Sequence, residues 1–563
     1  MDNLRIFLWV GLLMLVWLTV QTWQQNHAPK ALAGGGSAAT QSPANAPGTL
    51  ASETPAAPAD SATGAPDLPA LPGVPAAAPV STPTASAPVS AALIRIHTDV
   101  LDLAIDPRGG NIVDATLPTY PVHKDQPDVP VELLSSSPAT FFTMQGGLRA
   151  GEGQPEANHL AEFTATGSGF DLAPGASSLQ LPLRWESPTG VVVTKTYTFR
   201  PGSFEIDLEY NVQNNGTEPY QAAEYLQIHR LFTPHKQSML NVETYSFNGP
   251  VTYDGKKYQK LKVEDLAETP FAQTVSQGWF AAIQHHFLVA AVPPSAETWQ
   301  YAGRFADGKY LVSAIGPLQT IAPAATGSFR SKLFIGPKLQ KDLTAVAPGL
   351  ELTVDYGRLT ILAQPMFWLL DKVHGVVRNW GLTIILVTFL IKLVFYKLSE
   401  TSGRSMAGMR KLQPRMKALQ ERYKDDRQAM STALMELYKK EKINPAAGCL
   451  PMLVQIPFFI SFYWVLLESV EMRQAPFVLW ITDLSSRDPF FVLPLLMGAA
   501  MFFQQKLNPP PPDPVQAKMM QIMPVVFTGF FAFFPAGLVL YWLTNSVLSM
   551  AQQWRINKVL GAD

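Results

Sequence analysis

Between Leu382 and Trp554 the sequence carries five long apolar runs: Leu382–Leu398, Cys449–Val470, Phe490–Gln505, Met519–Phe534 and Leu538–Trp554. Each is near the ~20 residues a helix needs to cross the hydrocarbon core of a bilayer. A soluble core has no need of such blocks, so they predict a polytopic α-helical membrane bundle. A sixth run, Ile6–Val20, follows Arg5, contains Trp17 and is followed by Trp23, residues that suit a membrane interface. It reads as a retained anchor within residues 1–27. The alternative, a cleaved signal peptide, fits less well, because Ala31-Leu32-Ala33 lies about a dozen residues beyond the run and Cys449 is the one cysteine, which excludes a lipobox.

The basic residues orient these runs. Lys397–Lys442 holds twelve Lys and Arg residues, whereas Glu471–Pro489 holds only Arg473 and Arg487. The positive-inside bias places the first segment in the cytoplasm and with it both termini. What lies between the first and second runs then faces the periplasm. Residues 28–92 lack aromatic side chains and repeat Ala, Pro, Ser, Thr and Gly. That composition predicts a disordered, extended linker, because it cannot bury enough apolar surface to offset the entropy of ordering. From 93 to 348 the pattern becomes β. Leu101–Ile105, Val191–Phe199 and Phe204–Val212 alternate apolar and polar residues, and Pro107-Arg108-Gly109-Gly110, Asn214-Asn215-Gly216 and Asp254-Gly255 supply turns. A large antiparallel β-sandwich or barrel is expected there. No disulfide within one chain can support it.

Residues 358–380 are too polar to span and suit a helix lying in the interface. Residues 405–442 predict an antiparallel helical hairpin, with Met406, Met409, Leu412, Met416, Leu419 and Tyr423 on one stripe and Met430, Leu434, Leu437 and Ile443 on the other. Pro414 should kink its first helix. Asp425, three residues before Gln428, resembles a capping box. The hairpin is either a self-contained pair with a solvated basic face or a docking surface. In the second case Arg410, Lys411, Arg415, Lys417, Asp425 and Asp426 are its candidate contacts.

Lys392 lies about ten residues into a span, where a charge costs ~2.5–3.5 kcal/mol at mid-bilayer. Either its stem snorkels to the headgroups, or the ammonium lines a wet cavity in the bundle. Thr388 lies one turn earlier on the same face, and Gln455, Thr528, Tyr541, Thr544, Asn545 and Ser546 add polar groups from other runs. Together they could form a polar groove. Glu468 and Glu471, at the far end of their run, are explained by interfacial solvation. His229, His235, His285 and His286 have no metal-ligand spacing. Neither a phosphate-binding Gly-x-x-x-x-Gly-Lys-Ser/Thr loop nor a Gly-x-Ser-x-Gly elbow is present, so no nucleotide engine, hydrolase or cofactor is expected.

Three stretches carry a family resemblance. Asn444-Pro445-Ala446-Ala447-Gly448-Cys449-Leu450-Pro451 with Gln455-Ile456-Pro457 and Ser469 to Phe477 is one; Phe534-Pro535-Ala536-Gly537-Leu538-Val539-Leu540-Tyr541-Trp542 is the second; Thr98 to Leu103 with Arg108-Gly109-Gly110 is the third. They resemble the YidC/Oxa1/Alb3 membrane insertases in the Gram-negative form with a large periplasmic domain. The resemblance implies six transmembrane helices, five of them forming an insertase core over 381–563, and a β-supersandwich of the sugar-mutarotase type. It also implies a hydrophilic, positively charged groove working without nucleotide. The partners implied are nascent membrane proteins, the lipid bilayer, the Sec translocon, and the ribosome with its targeting receptor, without sequence-specific nucleic-acid binding. The groove arginine usual in the family maps onto Lys392, and Thr388 and Trp542 map onto positions that touch the incoming span. Lysine cannot form the bidentate fork of arginine, and Trp542 stands where a tyrosine is common. The chain ends at Val559-Leu560-Gly561-Ala562-Asp563 instead of a basic tail, which leaves the hairpin as the main candidate for ribosome docking. The competing expectation is a membrane-tethered periplasmic carbohydrate-binding or epimerase-like domain.

Overall fold

A computed structural model describes residues 68–71, 92–234, 246–423, 426–441, 445–507 and 514–560, with backbone only at 358, 406, 407, 410, 420, 427, 445–452, 514–517, 557 and 560. The run Ile6–Val20, His235 and Asp425 lie outside the described residues, as does the side chain of Arg410.

Between Ile94 and Pro337 twenty described strands form two sheets, of eleven and nine strands. The alternation in Glu205–Asn214 shows why. Ile206, Leu208, Tyr210 and Val212 are buried, and the residues between them face outward. Each fully buried aliphatic side chain contributes ~1.5–3 kcal/mol. This strand pairs antiparallel with Val191–Phe199 on one side and Thr326–Pro337 on the other. Of the strands that pair with Ile94–His97, Gly169–Asp171 runs parallel and Asp102–Asp106 antiparallel.

The sheets are joined through the turn at Pro107–Gly110. Gly109 has φ +77°, and a Cβ there would come within 2.1 Å of the His159 carbonyl oxygen, so only glycine fits. Lys195, fully buried on the inward stripe of Val191–Phe199, donates to the carbonyls of Gly109 and Gly146 at 2.9 Å each. The Tyr197 hydroxyl donates to the Gly110 carbonyl at 2.7 Å. Burial pushes the Lys195 ammonium down to about 7 and the Glu224 carboxyl up to about 8.

Ten α-helices are described: α1 (Val263–Glu268), α2 (Gln340–Val346), α3 (Thr360–Val377), α4 (Trp380–Val394), α5 (Tyr396–Arg422), α6 (Arg427–Lys440), α7 (Pro445–Glu468), α8 (Val492–Lys506), α9 (Pro514–Phe531) and α10 (Ala536–Leu560). In the bundle, α10 packs on α4, α5 and α8, while α7 packs on α3 and α5. Asn379 caps α4 by accepting from the Leu382 amide at 3.0 Å, and its own amide group donates to the Phe477 carbonyl at 3.0 Å.

Among the described residues no single helix is long and apolar enough to cross a membrane alone. α4 has fifteen residues, roughly 22 Å at 1.5 Å per residue, against a hydrocarbon core of roughly 30 Å. The run expected as one span, Leu382–Leu398, divides at Phe395, where α4 and the first part of α5 meet at 63°. The bend falls where apolar sequence gives way to the basic segment. As a bent pair, Trp380–Val394 with Tyr396–Ser405 does reach spanning length and hydropathy. α5 continues through Pro414 as one helix. The cap of α6 is Asp426, which accepts from the Gln428 and Ala429 amides at 3.0 and 2.9 Å.

The two glutamates expected at a solvated interface are instead enclosed between α7 and the β domain. Glu468 is 2% exposed and pairs with Lys338, 1% exposed, at 3.1 Å. Ser246 donates to the same carboxylate at 2.5 Å, and Lys338 also donates to the Thr353 carbonyl at 3.2 Å. Burial raises the Glu471 carboxyl to about 7. Arg473 donates to the carbonyls of Pro121 and Val122 at 2.7 and 3.1 Å, and Lys124 donates back to the Thr482 carbonyl at 2.6 Å. Sequence reasoning missed this junction because the partners that Glu468, Arg473 and Lys124 meet lie more than a hundred residues away.

Removing one member of a buried ion pair leaves the other uncompensated at a cost of about 3–5 kcal/mol, whereas replacing both by apolar groups is often near neutral. Lys338→Met alone is therefore expected to lower the thermal midpoint of the detergent-purified chain, and Lys338→Met with Glu468→Leu to recover most of the loss. A single variant as stable as the parent would show that the pair does not hold the junction.

Candidate functional site

The C-terminal half of α4, Ile384 to Val394, is apolar except at Thr388 and Lys392. Its outer face leaves Leu386, Phe389 and Leu393 exposed. The half-buried Lys392 ammonium turns the other way and donates to the Ser549 hydroxyl on α10 at 2.7 Å. Ser549 in turn donates to the Asn545 carbonyl, one turn back on α10, at 2.7 Å. The Asn545 side-chain oxygen accepts from the Gln455 amide group on α7 at 2.6 Å. One polar chain thus ties together three helices. The acceptor that meets the lysine charge is a neutral hydroxyl, not a carboxylate.

Beside this chain lies an open recess of about 350 Å³, counting the space at its mouth, lined by Ile391, Lys392, Phe395, Leu398, Ser399, Val454, Gln455 and Phe458. Its walls are largely apolar, with an ammonium, an amide and a hydroxyl among them.

Of the residues expected to form a groove, Lys392, Gln455 and Asn545 meet in this way. Trp542 and Tyr541 stand further along α10 in an aromatic cluster. Trp542 lies edge-on to Phe459 with centroids 4.6 Å apart and 5.2 Å from Phe531, and Tyr541 stacks on Phe462 at 4.4 Å. Thr388 is buried, and its hydroxyl donates to the Ile384 carbonyl at 2.6 Å. Thr528 donates to the Pro524 carbonyl at 2.7 Å and packs against Gly498 of α8, and Thr544 donates to the Leu540 carbonyl at 2.8 Å. These hydroxyls satisfy their own helices. Ser546 is buried. The residue that sequence reasoning missed is Ser549. Its signal is the spacing: it lies four residues after Asn545, on the same face of one helix.

In the hairpin, Leu412 and Met416 are buried, and Tyr438 donates to the Met416 sulfur at 3.7 Å. Arg415 pairs with Glu441 across the two helices at 2.5 Å, while Lys411 and Lys417 are exposed. Among the described residues no group of three or more His, Cys, Asp or Glu side chains could hold a metal ion.

Two family models match the chain: the YidC periplasmic domain over residues 93–369 and the 60Kd inner membrane protein over residues 372–562. A membrane protein insertase YidC of Thioalkalivibrio sulfidiphilus is 48% identical, covering 99% of this chain and 98% of the relative. One of Nitrosococcus oceani is 45% identical, covering 99% of both. Among solved structures, an active YidC insertase with its first transmembrane domain resolved is 19% identical over 82% of this chain and 92% of its own, with a TM-score of 0.37. A galactose mutarotase related enzyme from Lactobacillus acidophilus is 9% identical over 43% of this chain and 97% of its own, with a TM-score of 0.30. At these scores neither structural likeness bears on the argument. The sequence relationship is decisive on its own: the chain belongs to the YidC family of membrane protein insertases.

Proposed function

We propose that this insertase receives the incoming span of a newly made inner-membrane protein at the recess beside Lys392. The observation that carries the proposal is the lysine charge, held at the recess by a hydroxyl instead of a carboxylate. An ammonium so placed is available to an acidic group on the client. Membership in an insertase family sets aside the reading of a tethered epimerase-like domain.

The energetics follow from the client. A span of about 20 apolar residues gains roughly 6–12 kcal/mol on entering the bilayer, at 0.3–0.6 kcal/mol per strongly apolar residue. The obstacle is the short polar tail that crosses with it. A recess that carries an ammonium, an amide and a hydroxyl part-way across shortens the dry path, and a fixed positive charge offers acidic tail residues a transient partner. The membrane potential then draws negative charge outward with about 2.3 kcal/mol per charge per 100 mV. Nucleotide hydrolysis has no part in this scheme.

The same proposal extends to topology and partners. Five core spans, assigned to the runs Leu382–Leu398, Cys449–Val470, Phe490–Gln505, Met519–Phe534 and Leu538–Trp554, join an N-terminal anchor, with both termini cytoplasmic, the β domain periplasmic and α3 in the interface. The distribution of Lys and Arg supports that orientation. The exposed Lys411 and Lys417 support ribosome or targeting-receptor docking on the hairpin. Cooperation with the Sec translocon rests on the family alone.

Two outcomes test the recess. Lys392→Arg is expected to retain insertion in a reconstituted assay, while Lys392→Glu should slow clients with acidic translocated tails by at least about tenfold, equivalent to ~1.4 kcal/mol, and neutral-tailed clients far less. Equal insertion of both clients by Lys392→Glu would remove the counter-charge idea. The polar chain itself is expected to show a modest coupling. A double-mutant cycle of Gln455→Leu and Asn545→Leu on thermal stability should give ~0.6 kcal/mol and not exceed ~1.7 kcal/mol; strict additivity would dissociate the two side chains.

A further inference from the structure

The linker 28–92 reads as featureless, yet within it the structure describes Leu68-Pro69-Ala70-Leu71 lying on the β domain. Leu68 and Leu71 pack, with Leu318, against Ala223, Tyr225 and Ile315. These residues occupy the face of the eleven-stranded sheet opposite the main core. Ala222, Leu226 and Ile228 of the same strand, Tyr220–Leu231, point into the core, so Ala223 and Tyr225 alternate to the other side. Tyr225 pairs directly with Ile315, and Ala223 with Arg149.

The segment is also read through its backbone. The Arg149 guanidinium donates to the Pro69 carbonyl at 2.6 Å and is itself aimed by an ion pair with Glu156 at 2.7 Å. Glu156 is fixed by the Asn158 side chain at 3.0 Å, and Tyr225 is fixed through its hydroxyl, which accepts from the His159 amide at 2.8 Å. Each of these side chains is thus held by a partner within the β domain, independent of the segment. The peptide is biased as well. Leu68 and Leu71 each precede a proline, which disfavours helical backbone. In an extended polyproline-type chain, three residues per turn place positions i and i+3 on one edge. Leu68 and Leu71 are so spaced, and Ala70 between them is exposed.

We propose that this face of the β domain is a recognition groove for an extended Leu-Pro-x-Leu segment, occupied by the chain's own residues 68–71. The two leucines supply the apolar contact, Arg149 reads the carbonyl between them, and the third position is unread. Among the described residues, the linker then meets the β domain at Leu68, ahead of Ala92. Twenty residues separate Leu71 from Ala92. A tether of that kind holds the segment at an effective concentration in the mM range, enough for a short ligand of weak intrinsic affinity to stay bound.

The test uses the full chain in detergent and a dye-labelled peptide of the sequence Pro66 to Gly73, followed by fluorescence anisotropy. The peptide is expected to bind Leu68→Asp/Leu71→Asp, whose groove is vacated, at least about tenfold more tightly than the parent, whose own segment competes. Adding Arg149→Glu to that variant should remove the binding. Equal binding to parent and vacated chain, or binding indifferent to Arg149→Glu, would overturn the proposal. A second measurement fixes the occupant. In a Cys449→Ser background, Leu71→Cys with Leu318→Cys should be joined by a short bifunctional thiol reagent within one chain. A product of twice the mass, in which a second copy supplies the segment, or no product at all, would refute docking in cis.

Discussion

A lysine ammonium among apolar helices must find polar company, because an unpartnered charge there would cost several kcal/mol. Lys392 finds it across the bundle, in a hydroxyl of α10 whose helix is in turn joined to α7 through Asn545 and Gln455. The arrangement of α4, α7 and α10 answers this requirement. A carboxylate in place of Ser549 would satisfy the charge fully and, on the proposed role of Lys392, leave nothing for a client. A hydroxyl orients the ammonium by one bond and leaves its charge in place. The aromatic cluster around Trp542 continues the same helix face with apolar surface, so a polar anchor and an apolar wall stand next to each other, which is what the proposed reception of a span with a charged tail needs.

The β domain is held to this bundle by a different device. Lys338 and Glu468 are buried together, with Ser246 and Thr353 taking up further hydrogen-bonding capacity. A buried pair of this kind is weak evidence for added stability, but it penalises any arrangement that separates its members. Arg473 reinforces the register by gripping the carbonyls of Pro121 and Val122. It is one of only two basic residues in the loop Glu471–Pro489, and its charge anchors a strand of the β domain.

How much of this was legible in the sequence depends on how local the cause is. Val191–Phe199 and the glycine turn at Gly109 follow from alternation and from backbone conformations that only glycine tolerates. Lys195 on the inward stripe of that strand could have been noticed, since Val191, Val193, Tyr197 and Phe199 share its parity. Lys392 stood out because charge is rare in an apolar run, but its partner Ser549 did not, because serine is common in helices and only its four-residue spacing from Asn545 sets it apart. Thr388 and Thr528 show the converse. They have the polar character expected of a groove, yet their hydroxyls bond back to their own helices at Ile384 and Pro524, an option the sequence could not rank. Glu468 was read as solvated because its partner lies 130 residues away, and the bend at Phe395 was missed because no proline or glycine in Leu382–Leu398 marks it.

The proposal is that a client span meets this chain at the recess formed by α4, α5 and α7, beside the polar chain that reaches α10. The most direct measurement is site-specific photocrosslinking to a ribosome-stalled nascent membrane protein, with the probe at Gln455 or Trp542 and, for comparison, at Leu495, which is 62% exposed on α8. Strong crosslinks are expected from Gln455 and Trp542, shifting along the client as its stalled length increases, and weak ones from Leu495. Crosslinks as strong from Leu495, or none from the recess at any client length, would contradict it.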